Sequence, residues 1–430
     1  MNNDYNSTPA QKGAWKTLFN MVYQPQKRLF HTLMAVAIIT AGIDASFTLV
    51  TKALVDDIVA LGAEVNLVPY GFMFFGLTVG IVVFIRWFIR LAGQLSTSLM
   101  YSLRKQTFEH MQTLSFRFFD DNAVGWLLAR VTSDTTRIAN VIAWGTLDLF
   151  WGIPFILGIF TVLLILDWQL GLVVLALFPF LAGVAMWFNI RILDSSRKLR
   201  KINSRMTAIY NENIAGVQTS KVLVREDESL DEFKHDTQKM YRQSMHNLLL
   251  TSAFYPFVNV FVSMAVGAAL WLGGAQVLAG TLTLGTLVAF MTYSRSLMDP
   301  MLEVSGKLAE MQRTTASVER VIGLLQVKPD IADSEAVLAQ MKRAQAEQAS
   351  TIDGGDAEIK HIEFRNVDFG YKPKEPVLKN FNLDVTAGET IALVGATGSG
   401  KSTIVSLLCR FYEPTAGLIR FNGKDYRERS

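Results

Sequence analysis

The sequence predicts a membrane domain of six α-helical spans followed by an α/β domain that carries a phosphate-binding loop. Three observations predict it. Long apolar runs almost free of charge recur between residues 29 and 301. From Glu358 the pattern changes to short alternating runs, the mark of strands. Near the end, GATGSGKS at Gly395–Ser402 fits the spacing G-x-x-x-x-G-K-[ST]. Composition agrees, with 50% apolar residues, 18% charged and a mean hydropathy of +0.26. Such a chain is not disordered and leans toward a membrane class. A net charge of +3 is too mild to call for a nucleic-acid partner. The single cysteine, Cys409, excludes an intramolecular disulfide and a cysteine zinc site, and is expected to be a small buried hydrophobe.

Residues 1–28 are polar or amphipathic, with no small-residue cleavage site of a signal peptide. The stretch WKTLFNMVYQPQKRLF sets aromatic and aliphatic groups beside Lys12, Lys16, Lys27 and Arg28, which reads as an interfacial helix on the inner leaflet or as a solvated lead-in. A span needs about 20 mostly apolar residues. Residues 29–50, 70–89, 142–166, 169–188, 248–272 and 282–301 meet that need. Between Ile142 and Phe188 the only charges are Asp148 and Asp167, so this run holds two spans joined at the tip Asp167-Trp168.

Lysine and arginine set the expected orientation. Residues 191–247 carry eleven of them, 97–140 carry five and 1–28 carry four, whereas 53–71 and 273–281 carry none. Both termini are therefore expected in the cytoplasm. The two cytoplasmic connections are too long for loops and read as helical arms. The second has one glycine, Gly216, and no proline. Folded as hairpins, such arms would reach roughly 35 Å from the bilayer at helical rise. The membrane domain so defined covers 29–325, and residues 326–357, rich in alanine, glutamine and acidic groups, form a linker to a domain at 358–430.

In that last domain TIALVG reads as a buried strand before the loop, and KSTIVSLLCRFY as a helix after it. Glycines let backbone N–H groups turn inward as an anion nest, and the helix N-terminus adds positive potential. Gly395, Ala396, Thr397, Gly398, Ser399, Gly400, Lys401, Ser402 and Thr403 are thus expected to hold nucleotide phosphates. Lys401 would reach the β- and γ-phosphates, and the Ser402 hydroxyl would join Mg²⁺.

With Tyr371 in VDFGY and the run PVLKNFNLDVTAGETIALVGATGSGKSTIVSLLCRFYEPTAGLIRFNG, the tail resembles the start of an ABC-type nucleotide-binding domain. The whole chain resembles a bacterial ABC exporter half-transporter of the multidrug and lipid type, MsbA-like in layout. The resemblance implies that Tyr371 stacks on the adenine of ATP. It also implies that FRFFDDNAVGWLLARVTSD, with Phe118, Phe119, Asp120, Gly125, Arg130 and Asp134, is the first intracellular loop. IYNENIAGVQTSKVLVRED, with Glu212 and Gly216, is similar to the second. In the family these loops end in coupling helices on the ATP-binding domains.

The same resemblance implies ATP-driven export of hydrophobic or amphipathic compounds across the inner membrane, with a second half-transporter, identical or not, as partner. A peptide exporter of the same architecture is an alternative, set lower because the N-terminal region lacks a cysteine peptidase. The family's signature, Walker B aspartate and catalytic glutamate follow its phosphate loop and are not found here, so no catalytic residue is expected in this chain. It reads as the N-terminal part of a longer protein, with an incomplete nucleotide-binding domain that at most binds ATP. In the spans, Asp44, Phe290 and Tyr293 are candidates for a substrate cavity, weighed against ordinary packing. Pro256 and Pro300 are expected kink points.

Overall fold

The computed structural model describes residues 13–339, 359–372 and 375–428. Lys12 and residues 340–357 of the expected linker lie outside the described residues. Along the chain run α1 (Ala14–Leu61), α2 (Val68–Gln112), α3 (Phe116–Asp121), α4 (Val124–Ala129), a π-helical turn at Arg130–Asp134 and α5 (Thr135–Leu166). Then come α6 (Trp168–Ala215), α7 (Val217–Val222), α8 (Glu226–Ala268), α9 (Gly274–Leu278), α10 (Leu284–Ser296) and α11 (Met298–Gln326). The tail adds β1 (His361–Phe369), β2 (Leu378–Thr386), α12 (Lys401–Leu408), β3 (Ala416–Phe421) and β4 (Lys424–Asp425). The chain divides into two compact units. One joins Trp15–Met100 to Thr136–Ala316; the other joins Met1–Ala14, Tyr101–Thr135 and Ser317–Ser430.

The first unit is helical, as a chain in hydrocarbon must be, since every backbone N–H and C=O has to find a partner within its own segment. Among the described residues five helical stretches are long and apolar enough to cross a membrane: 14–64, 68–112, 124–166, 168–215 and 226–278. The expected sixth span, 282–301, is split. It holds α10, 13 residues long, and the start of α11. Pro300 is the cause, because it has no N–H and its ring crowds the carbonyl four residues back, that of Ser296. Pro256, by contrast, sits within α8 without ending it. At the other end, the expected interfacial segment and first span are one helix, α1, which contains Pro25.

The Asp167 tip is built as its sequence suggests. The Asp167 side chain accepts a hydrogen bond from Leu170 N at 2.8 Å and so caps α6. Gly171 follows because a Cβ there would lie 3.1 Å from the Leu163 carbonyl. Ala41, Phe155, Ile159, Leu163, Phe290 and Tyr293 form the heart of this unit's core. In the second arm α6 stops at Gly216, where a Cβ would stand 2.9 Å from the Glu212 carbonyl oxygen. That same oxygen accepts from Gly216 N at 2.7 Å, and the chain turns through α7 into α8.

The second unit pairs β2-β1-β3-β4 in an antiparallel sheet. Phe364, Val367, Phe369, Leu378 and Ile419 of the sheet meet Ile404 and Leu407 of α12 in one apolar cluster. Two expectations are corrected here. TIALVG does not form a strand: residues 390–395 enter no ladder, and Ile391, Leu393 and Val394 are exposed, Val394 at 92%. A strand exists only by pairing, and this run pairs with none of the described strands. Cys409 is exposed rather than buried, because α12 ends at Leu408 and Arg410 takes a left-handed φ of 55° that turns the chain away.

Candidate functional site

The phosphate loop is positioned by α12, whose Ile404 and Leu407 anchor it to the sheet. The two glycines that the turn requires are visible as such. Gly398 and Gly400 have φ of 86° and 90°, in the left-handed region that a Cβ disfavours. At Gly400 a Cβ would also come within 2.9 Å of Leu378 Cδ2. At Gly395 it would stand 2.6 Å from Ser399 Oγ, so a side chain there would have to push that hydroxyl aside. Lys401 folds back over this cradle. Its Nζ donates to Gly395 O at 2.7 Å, to Ala396 O at 2.8 Å and to Ser399 Oγ at 3.3 Å. Residues 395–399 and Ser402 are exposed, Lys401 is half-buried, and Gly400 and Thr403 are buried.

This chemistry fits a nucleoside triphosphate with Mg²⁺. Backbone N–H groups at a helix start, an ammonium already held over the loop and an exposed serine hydroxyl are what phosphate oxygens and a phosphate-bound cation require. Tyr371, the residue expected to meet the base, is tied to this loop. Its hydroxyl pairs with Thr403 Oγ1 at 3.2 Å, which ties it to the first turn of α12. Phe369 and Tyr412 pack edge-on against it, both with ring centroids 5.1 Å away. These contacts fix the ring and still leave Tyr371 41% exposed, the condition for stacking.

The same unit brings the connection between α2 and α5 to this tyrosine. Arg117 Nη2 of α3 donates to Tyr371 O at 3.4 Å. The Phe116 and Phe411 rings lie 4.6 Å apart, and the Tyr412 hydroxyl donates to the Asp120 carboxylate. Burial, helped by that carboxylate, pushes the Tyr412 hydroxyl up, so it stays a donor. Asp120 was legible from sequence; Phe116, Arg117, Phe411 and Tyr412 were not. The aromatic density of FRFF was the available signal, but its partner lies some 290 positions away.

Other expected residues fall as follows. Phe118 and Phe119 pack with Met111, Leu127, Leu324 and Val327. Gly125 lies in α4 with open space around it. Glu212 and Gly216 form the break in the second arm described above. Arg130 and Asp134 are buried and joined at 2.8 Å, with Arg320 Nη2 on the other carboxylate oxygen at 2.6 Å. In the membrane unit, Phe290 and Tyr293 are fully buried in the packed core, Tyr293 donating to Ala45 O at 2.7 Å. Packing, rather than a cavity wall, accounts for both. Asp44 is half-buried and has no ion pair among the described residues.

Comparison with known proteins decides the family. Residues 30–301 match the ABC transporter transmembrane region, well over half of the chain. The chain is an ABC transporter. Residues 378–430 of the transporter match the ABC transporter family's second description, that of its nucleotide-binding part. The order, membrane region first, is the exporter layout, and the protein is a multi-pass membrane protein. Over 416 residues the transporter is 29% identical to the uncharacterized ABC transporter ATP-binding protein YwjA of Bacillus subtilis, covering 94% of this chain and 68% of that one. It is 27% identical over 423 residues to the putative multidrug export ATP-binding/permease protein YgaD of the same organism, covering 97% and 70%. It is 30% identical over 336 residues to an ATP-dependent lipid A-core flippase of Desulfotalea psychrophila, covering 77% and 55%.

Proposed function

We propose that this transporter serves ATP-driven export of hydrophobic or amphipathic compounds, drugs or lipids, across a bacterial inner membrane, as one half of a dimer with cytoplasmic termini. The supporting observation is the Arg117–Tyr371–Thr403 chain of contacts. A nucleotide that ordered Tyr371 and the loop before α12 would bear directly on the connection that leads back into the spans. Similarity to the multidrug export protein and the flippase supports the substrate class. Inside-out membrane vesicles containing the protein should accumulate a hydrophobic dye or a labelled lipid when given Mg-ATP. Accumulation that is the same without ATP would overturn export.

A second reading concerns the 430 residues by themselves. The apolar run Ile391–Val394 is exposed and pairs with none of the described strands. On this reading the chain binds ATP and does not turn it over. Phosphate release by the purified chain that Lys401→Ala removes would sink it.

Tyr371 supplies a separate test. Replacing it with alanine removes one aromatic stack, worth about 1 to 3 kcal/mol for a nucleobase. ATP affinity should fall by about tenfold, and Tyr371→Trp should restore it. Equal titration curves for wild type and Tyr371→Ala would show that the ring does not meet the base.

A further inference from the structure

The membrane unit holds a cavity of about 420 Å³ that the nucleotide and export readings do not use. Its walls come from the first part of α1, from α5 and from Met311 of α11. The α1 contribution is a single face: Trp15, Phe19, Tyr23, Phe30 and Met34 follow one another at helical steps of four, four, seven and four. Opposite them, α5 presents Leu149 and Phe150, and leaves the middle open at Gly145, where a Cβ would meet nothing within 4 Å. The volume is in the range that admits a drug-sized apolar body.

The polar features sit midway along this stretch of helix, between Tyr23 and His31. Lys27 takes the four-residue step from Tyr23, and Arg28 is next to it; both are exposed. Neither Lys27, Arg28 nor Lys16 makes an ion pair among the described residues. Beside them the Tyr23 hydroxyl is hydrogen-bonded to His31 Nε2 at 3.0 Å. Tryptophan, tyrosine, lysine and arginine collected on one stretch next to a span are the signature of the headgroup level of a bilayer. An apolar hollow opening beside unpaired cations at that level is complementary to an amphipathic anion.

We propose that this cavity binds an anionic phospholipid of the surrounding leaflet, one acyl chain lying between α1 and α5 and the phosphate held by Lys27 and Arg28. The proposal rests on the membrane insertion of the spans, and on neither ATP binding nor export. A lipid seated there would fasten the first helix to the rest of the membrane unit. No covalent step is involved.

Native mass spectrometry of the purified full chain in a neutral detergent tests it, with dioleoyl phosphatidylglycerol and dioleoyl phosphatidylcholine as probes. The wild-type chain should retain the first phosphatidylglycerol in clear preference to phosphatidylcholine. Gly145→Leu fills the open centre and should lose that first adduct of either lipid, with helicity by circular dichroism unchanged. The double substitution Lys27→Gln, Arg28→Gln should leave phosphatidylcholine binding as it was. It should also cut the phosphatidylglycerol preference roughly twenty-five-fold, since each basic group near an anionic lipid contributes about a factor of five. Full retention by Gly145→Leu, an unchanged lipid preference in the double variant, or displacement of the lipid by a second copy of the chain would overturn the proposal. Should Gly145→Leu lose helicity, the double variant, which touches only exposed side chains, decides alone. None of these readouts needs nucleotide, so failure of the export reading would leave them intact.

Discussion

Lys401→Ala is expected to weaken ATP binding by roughly a hundredfold, the largest functional effect of any single change in this chain. The ammonium now caps the carbonyls of Gly395 and Ala396 at 2.7 and 2.8 Å, so it is already over the cradle before phosphate arrives. Bound phosphates would take over those donors. Hydrogen bonds to charged groups are worth about 1.5 to 3 kcal/mol each, and about 1.4 kcal/mol is a factor of ten. Losing one or two of them accounts for the predicted drop, and the truncated lysine also uncaps two loop carbonyls. Titration with a fluorescent ATP analogue in the presence of Mg²⁺ reads the effect. Lys379→Ala, an exposed lysine on β2, should bind as wild type does. If both variants bind equally well, the loop is not the phosphate site.

The largest effect on stability is expected from Asp134→Ala. This carboxylate is 5% exposed and receives Arg130 Nη1 at 2.8 Å, Arg320 Nε at 3.0 Å and Arg320 Nη2 at 2.6 Å. Arg130 is itself only 7% exposed, its guanidinium 4.2 Å above the Trp126 ring. Removing the carboxylate strands that cation in the interior next to a second one. Breaking a buried pair from one side costs about 3 to 5 kcal/mol, whereas replacing all partners with apolar groups is often neutral. The melting temperature, followed by tryptophan fluorescence, should therefore fall by at least about 5 °C in Asp134→Ala. It should largely recover in the triple variant Asp134→Ala, Arg130→Met, Arg320→Met. A melting curve unmoved by the single change would refute the account.

The same site sets a pH dependence. Burial alone would raise the Asp134 carboxyl, but the bonds from Arg320 and Ser317 and the charges of Arg320 and Arg130 hold it below the ordinary carboxylate range. A carboxyl lowered in the folded state stabilises above its unfolded value of about 3.9 and loses that contribution as pH falls through the lowered value. The gap between wild type and Asp134→Ala should thus be constant near neutrality and close only in acid.

Much of the fold could be read from contiguous residues. Hydropathy located the helices that cross the membrane, because twenty apolar residues in a row have few other uses. Asp167 and Gly216 marked turns where the structure has them, one as a helix cap and one by its lack of a Cβ. The reading went wrong where a pattern needs a partner to become structure. TIALVG has the composition of a strand but pairs with none of the described strands, and 282–301 has the hydropathy of one span but is interrupted at Leu297, three residues before Pro300. Phe290 and Tyr293 show the same limit. An aromatic pair on an apolar helix is equally suited to a cavity wall and to a core, and only its neighbours choose.

The sequence by itself determined that this is a membrane protein with a loop of phosphate-binding spacing, because hydrophobic length and glycine spacing are local and survive without knowledge of the fold; transport came only through the family resemblance. Only the tertiary structure decided that Arg117 touches Tyr371, that Asp134 is shared by two arginines, and that α1 and α5 leave a hollow between them. Those contacts join residues from about 120 to more than 250 positions apart, except the helical pair Arg130–Asp134. Nothing in either local pattern announces its partner, since distant side chains are matched by packing and charge rather than by spacing along the chain.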